Sequence, residues 1–140
     1  MKVQKLSNVF YSANLLYDKI DLKPMRTWSF YYVVENTTDE EFIKKEALQT
    51  VLMINGHSNE FHFYGQQAQR WENEFDLADT QIQPDASIQG VAMTMVYDNL
   101  DDFIETLQSE LSIRPFVPHD IYLIYDDENI YKQILSKLKY

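Results

Sequence analysis

Residues Arg26–Glu35 read RTWSFYYVVE, a stretch rich in aromatic and β-branched side chains. This composition predicts a β-strand. Alternate side chains of a strand point to opposite faces. Here one face carries Trp28, Phe30, Tyr32 and Val34, and the other carries Ser29, Tyr31 and Val33. Because both faces are largely apolar, we expect this strand to lie centrally in its sheet.

The neighbouring segments alternate between strand and helix patterns. Thr38 and Glu41 form a capping-box pattern, so a helix is expected to begin there and to end at Asn55-Gly56. Apolar spacing predicts two later helices, one capped by Asp98 and one capped by Asp127 or Glu128. Further strands are predicted at residues 7–17, 60–64, 88–97 and 120–125.

Residues 68–80 fit two patterns. Trp71 and Phe75 stand four residues apart, as on one face of a helix, but they also fit the alternation of a strand. We favour a strand that forms a hairpin with residues 60–64.

The chain has 140 residues and a mass of 16.7 kDa, which fits a single domain spanning residues 1–140. The segment Phe30–Gly65 can be laid over Val91–Asp126 at a constant offset of 61 residues. This match predicts two candidate pseudo-repeats, residues 26–65 and 88–126, each reading strand, helix, strand.

From these segments we expect an α+β fold with one mostly antiparallel sheet. The first strands of the two repeats would pair at its centre, with the helices on one face and one more helix at the C-terminus.

The second repeat carries a pattern of its own. It reads Gly90, then Tyr97-Asp98-Asn99-Leu100, then Leu111, then Asp120-Ile121-Tyr122-Leu123-Ile124-Tyr125-Asp126. This pattern resembles the second half of the GyrI-like effector-binding fold, which is also compared with SOUL-type proteins, and the likeness extends over residues 26–126. The resemblance implies a small-molecule sensor with an open groove on the sheet, lined here by Tyr31, Glu35 and Thr94.

The composition excludes several classes of site. There is no cysteine, so disulfides, thiol catalysis and Cys-ligated metals are excluded, and three glycines are too few for a phosphate-binding glycine-rich loop. The first residues lack a signal-peptide pattern, and no run of 18 apolar residues occurs. We therefore expect a cytoplasmic protein that binds neither a membrane nor nucleic acid, since its net charge is −10.

The negative charge is concentrated in the middle of the chain. Residues 31–130 hold 20 acids against Lys44, Lys45, Arg70 and Arg114, a net charge of −16. Such a field attracts basic partners and weakens with salt. The side chains expected to form a partner-binding surface follow the strands: Tyr97, Asp98, Asp101, Asp102, Glu105, Tyr125, Asp126, Asp127 and Glu128.

No residue pattern predicts catalysis, a cofactor or a metal. His57, Glu60 and His62 are close in sequence, but zinc needs three or four converging ligands, and His119 lies far along the chain. Turn or surface positions are the favoured interpretation of these histidines. The acids near Asp98 are explained by helix capping, and no serine has a placed base.

Two functions remain as hypotheses. The first is a non-enzymatic protein that holds a basic protein partner, as an immunity protein, an inhibitor or a secretion adaptor or chaperone of a toxin system does. The second is the GyrI-like small-molecule sensor. The ten tyrosines fit either a binding surface or an aromatic core.

Overall fold

The computed structural model describes residues 3–18, 27–53, 59–82, 93–113 and 119–140. Within these residues, one α+β domain contains six strands and four helices, as the sequence predicted for the class and for the C-terminal helix. The strands are β1 (Gln4–Lys5), β2 (Phe10–Asn14), β3 (Thr27–Val33), β4 (Asn59–Tyr64), β5 (Met93–Tyr97) and β6 (His119–Tyr125). The helices are α1 (Glu40–Met53), α2 (Ala68–Ile82), α3 (Leu100–Ser112) and α4 (Glu128–Lys137).

The strands form one mixed sheet in the order β1-β2-β6-β3-β4-β5. Only the short edge strand β1 pairs antiparallel, and the other neighbours all pair parallel. The prediction of a mostly antiparallel sheet was therefore wrong. The physical reason is that a helix follows each of β3, β4 and β5 and carries the chain back to the opposite edge, where the next strand must start in the same direction.

Helices cover both faces of this sheet, so the expectation of helices on one face was also wrong. The even-numbered side of β3 packs with Ile43 of α1 and with Trp71 and Phe75 of α2. The odd-numbered side packs with Phe103 of α3 and Ile134 of α4. The central position and the two apolar faces of β3, in contrast, are as predicted.

Residues 68–80 belong to helix α2, not to a hairpin strand. Trp71 and Phe75 are fully buried on one face of this helix, with their rings 6.3 Å apart. Phe75 also lies 4.7 Å from the ring of Phe61. A strand would have turned Leu77 to the same side, but Leu77 is exposed. The helical spacing of residues 68–80 therefore predicts correctly which of their side chains are buried.

Two helix starts differ from the predicted residues by one position. The Asp39 carboxylate, rather than the Thr38 hydroxyl, accepts a hydrogen bond from the Phe42 N–H at 3.2 Å. Asn99, rather than Asp98, caps α3. Asp127 caps α4, in agreement with the first of the two predicted caps. None of the helices in the described part of the chain has the length and apolarity needed to cross a bilayer.

The two candidate pseudo-repeats correspond to β3-α1-β4 and β5-α3-β6. Their first strands do not pair as expected, because β5 lies at the edge of the sheet and β3 lies between β6 and β4. Their helices lie on opposite faces. Whether the two segments share an origin stays a prediction.

Most tyrosines of the strands belong to the core. Tyr31, Tyr32, Tyr122 and Tyr125 are all buried, and Tyr64 and Tyr97 are partly buried. Phe30 lies at the centre of a layer of stacked rings, 5.2 Å from Phe61 and 5.7 Å from Tyr122. The aromatic-core interpretation therefore accounts for these residues better than a tyrosine-bearing surface.

Candidate functional site

The carboxyl ends of the parallel strands lie at one edge of the sheet, and the helices begin within a few residues of them. This topology collects acids that are far apart in sequence. We call this surface the acidic edge. It consists of eleven residues: Glu35, Asp39, Glu40, Glu41, Asp98, Asp101, Asp102, Glu105, Asp126, Asp127 and Glu128.

The acidic edge keeps a negative charge after local compensation. Four helix N-termini supply roughly half a positive charge each, or about +2, against eleven carboxylates. Among the described residues, the cations close to this edge are few. Lys44 pairs with Glu40 at 3.6 Å, Lys137 pairs with Asp101 at 3.4 Å, and Arg70 donates to the Thr38 carbonyl.

The predicted acids on α3 and just before it are exposed to solvent. Asp98, Asp101, Asp102 and Glu105 are all exposed. Asp102 accepts a hydrogen bond from the Asn99 side chain, and the Asp101 side chain is 85% exposed despite its contact with Lys137. Within the described part of the chain, the side chains of Asp98 and Glu105 make no hydrogen bond or ion pair.

Asp126, in contrast, is occupied within the molecule. Its carboxylate accepts hydrogen bonds from the backbone N–H groups of Glu35, Asn36 and Thr37 at 2.8–3.0 Å, and from the Thr37 hydroxyl at 2.7 Å. This side chain therefore ties the end of β6 to the loop after β3, and its role in partner binding stays a prediction.

The remaining predicted residues near β6 also have structural roles. Asp127 caps α4 by accepting from the Ile130 N–H at 2.9 Å. The Tyr125 ring is buried and stacks on Tyr131 with ring centroids 3.9 Å apart. Glu128 is exposed and is the most accessible of the predicted acids that follow β6.

The three residues predicted to line a sensor groove do not lie together. Tyr31 is fully buried under α3, because the expected open face is covered. Thr94 donates to Asp76 of α2 on the other face of the sheet. Glu35 lies at the acidic edge and accepts from the Gln66 N–H. The sensor function itself stays a prediction, but these residues do not form its site.

A second group of polar side chains lies under α3, towards the amino ends of the strands. Glu60 and His62 come from the same face of β4, and Glu110 comes from the last turns of α3. One ligating atom from each residue lies within 4.8 Å of the others. We call this group the Glu-His cluster, meaning Glu60, His62 and Glu110.

His62 is held firmly in this cluster. Its Nδ1 lies 2.7 Å from the Tyr97 hydroxyl, and its Nε2 lies 3.2 Å from a carboxylate oxygen of Glu60. Its ring stacks on Tyr31 at 4.2 Å, with the two planes 2° apart. The expectation of a turn or surface position was wrong for His62, which is 2% exposed. His57 lies outside the described residues.

Glu110 has a polar environment of its own. The Tyr31 hydroxyl donates to one carboxylate oxygen at 2.8 Å, and the other oxygen lies 3.1 Å from His119 Nε2. Burial acts to raise the pKa of Glu110, but hydrogen bonds from His119, Ser29 and Tyr31 outweigh burial and hold this pKa below its ordinary value. Burial, with the adjacent Glu110 charge, raises the pKa of the Tyr31 hydroxyl. The Glu110 side chain is therefore a carboxylate facing a neutral phenol.

Sequence reasoning missed the Glu-His cluster because Glu110 stands 48 residues after His62. Two signals were nevertheless present. Strand alternation places Glu60 and His62 on one face of β4. Helical spacing places Glu110 beside Phe103 and Leu107, so it is an acid next to the apolar stripe of α3.

Comparison of the chain with protein-family models, with curated proteins and with solved structures finds no significant match. The two groups of side chains described above are therefore the features of the molecule that bear on its function.

Proposed function

We propose that this protein is a non-enzymatic binding protein of the cytoplasm that holds a basic protein partner at its acidic edge. The observation that supports the proposal is topological. Parallel strands bring acids that are distributed over more than 90 residues of sequence to one end of the molecule. A surface of one sign raises the local concentration of oppositely charged partners and speeds their association.

Helix capping accounts for only part of this surface. Asp39, Asp102 and Asp127 make the hydrogen bonds of helix starts, and Asp126 is occupied by backbone amides. The side chains of Glu41, Asp98 and Glu105, in contrast, are exposed and make no hydrogen bond or ion pair among the described residues. These unpaired carboxylates are the ones that a partner's lysines and arginines would contact.

The chemistry of this surface favours a folded basic protein. Immunity proteins, inhibitors and secretion adaptors or chaperones of toxin systems act by covering a cationic surface of this kind. Such an interface gains specificity and association rate from complementary charge, so salt must weaken it.

The test compares two triple variants of equal net charge. The edge variant carries Glu41→Gln, Asp98→Asn and Glu105→Gln. The control variant carries Glu72→Gln, Glu74→Gln and Asp76→Asn on α2, away from the first turn of that helix. Immobilised wild-type protein captures partners from the source cells, and the purified partner is then titrated against each protein at about 50 mM and about 300 mM salt.

The edge variant is expected to raise the dissociation constant about tenfold at low salt, because each exposed ion pair contributes about 0.2–1 kcal/mol. The control variant should change it less than about twofold. Equal weakening by both variants, or an affinity that does not respond to salt, would contradict the proposal.

A further inference from the structure

We propose that the Glu-His cluster binds a divalent transition-metal ion of the zinc type. This inference is independent of the acidic edge, because the cluster lies under the last turns of α3, beside Ser29 and His119 near the amino ends of β3 and β6.

The separation of the donor atoms supports the site. A tetrahedral ion with ligand bonds of about 2.1 Å holds its donor atoms about 3.4 Å apart. The three donor atoms already lie within 4.8 Å of one another, and the Glu60 oxygen is 3.2 Å from His62 Nε2. Side-chain movements of about 1 Å are therefore enough to bring all three onto one ion.

The donor set suits such an ion. One imidazole nitrogen and two carboxylates are ligands that zinc and its first-row neighbours accept, whereas Mg²⁺ and Ca²⁺ prefer oxygen alone. Two carboxylates here face a mostly buried histidine, and no lysine or arginine among the described residues pairs with either of them. A bound dication would offset this negative charge.

The surrounding side chains hold the ligands through their other atoms. Tyr97 fixes the His62 ring through Nδ1 and leaves Nε2 directed at Glu60. Tyr31, His119 and Ser29 hydrogen-bond the Glu110 carboxylate, which leaves about one of its roughly four acceptor positions for an ion. Outer hydrogen bonds of this kind orient the ligands of protein metal sites.

The site is accessible from solvent on one side. The Glu60 side chain is 43% exposed, whereas His62 is nearly inaccessible and Glu110 is 15% exposed. An ion could therefore enter past Glu60. Three protein ligands would leave one position of a tetrahedral ion for water.

The experiment titrates the metal-free full chain with Zn²⁺ by calorimetry, and with Co²⁺ by visible absorption, which reports the ligand geometry. Glu60→Gln and Glu110→Gln each remove one charged ligand, and Glu72→Gln is the matched control on α2. The Glu60 substitution also guards against misfolding, since this side chain is partly exposed.

We expect one equivalent of Zn²⁺ to bind to the wild type and the control, and each ligand variant to weaken binding at least about tenfold. The site would be overturned if the wild type bound no stoichiometric Zn²⁺, or if the Glu60 and Glu110 variants bound it as tightly as the wild type does. Equally tight binding of Mg²⁺ would also overturn it, because the imidazole would then contribute nothing. The edge variant described above should bind Zn²⁺ as tightly as the wild type does. A failure of the metal site can therefore be distinguished from a failure of partner binding at the acidic edge.

Discussion

Asp126 illustrates how a charged side chain that follows a strand can be structural. The sequence predicted a partner contact, because Asp126 stands in an acidic run after a strand. No local pattern shows that three backbone N–H groups from residues 35–37 converge on it from about 90 positions earlier. Hydrogen bonds to a charged acceptor are worth more than neutral ones, which makes this carboxylate a strong tie between two strand ends.

We predict that Asp126→Asn lowers the free energy of unfolding by about 2–3 kcal/mol. The amide removes the charge and turns an NH₂ group towards donors that then lack an acceptor. Urea denaturation monitored by tryptophan fluorescence measures the change. Glu128→Gln, two residues later and exposed, is the control and should change the stability by less than about 0.5 kcal/mol. An unchanged stability of Asp126→Asn would show that the loop does not depend on this contact.

The start of α1 gives a test at the level of one element. Asp39→Ala should destabilise the protein by about 1 kcal/mol, because Asp39 supplies the capping oxygen for the Phe42 N–H. Thr38→Ala should cost less than about 0.5 kcal/mol, although the sequence pattern favoured Thr38 as the cap. Thermal and chemical unfolding of the two variants compares them directly, and the reverse order of stabilities would restore the predicted cap.

The individual elements were predictable to different degrees. The composition of β3 predicts a strand, and the spacing of the apolar residues in α3 predicts a helix. Both elements are found as predicted. Helix α2 was not predicted because Trp71 and Phe75 fit both the helical and the strand periodicity. Only their packing in one cluster with Phe61 distinguishes a helix from a strand here. Strand direction has no local signal, since it depends on which edge each helix returns the chain to.

The two candidate sites also differ in how far the sequence predicts them. The exposed acids of α3 could be predicted, because charge after a strand and before an apolar stripe marks a helix start at the surface. The Glu-His cluster could not be predicted from the sequence. The contact between β4 and α3 depends on the crossover that carries the chain from β5 over the sheet to β6. The sequence indicated only its parts, through the alternation of Glu60 and His62 on β4 and through the acid beside the buried stripe of α3.

At the scale of the whole molecule, the buried tyrosines predict sensitivity to alkali. Burial, followed by the charge of Glu128, raises the pKa of Tyr125 to about 12, and burial also raises the pKa of Tyr32, Tyr97 and Tyr131. An unfolded tyrosine loses its proton near pH 10, while these folded ones retain theirs. The unfolded state then binds fewer protons, so stability falls as the pH rises above about 10.

Urea titrations at about pH 8 and about pH 11 measure this loss, and tyrosinate absorbance should rise together with unfolding. Tyr125→Phe should reduce the loss, because it removes one proton from the difference between the two states. A midpoint that stays constant up to pH 11 would contradict the burial of these hydroxyls.

Open parallel sheets usually admit small molecules at the cleft between two adjacent strands whose following helices turn to opposite faces. In the described part of the chain one such position lies between β3 and β6, since α1 packs on one face and α4 on the other. Asp126 already fills it with a tethered anion. A metabolite would have to compete with a carboxylate that is covalently attached and always present. Between β3 and β6 the chain therefore supplies its own anion, in the position where the acidic group of a small molecule would otherwise sit.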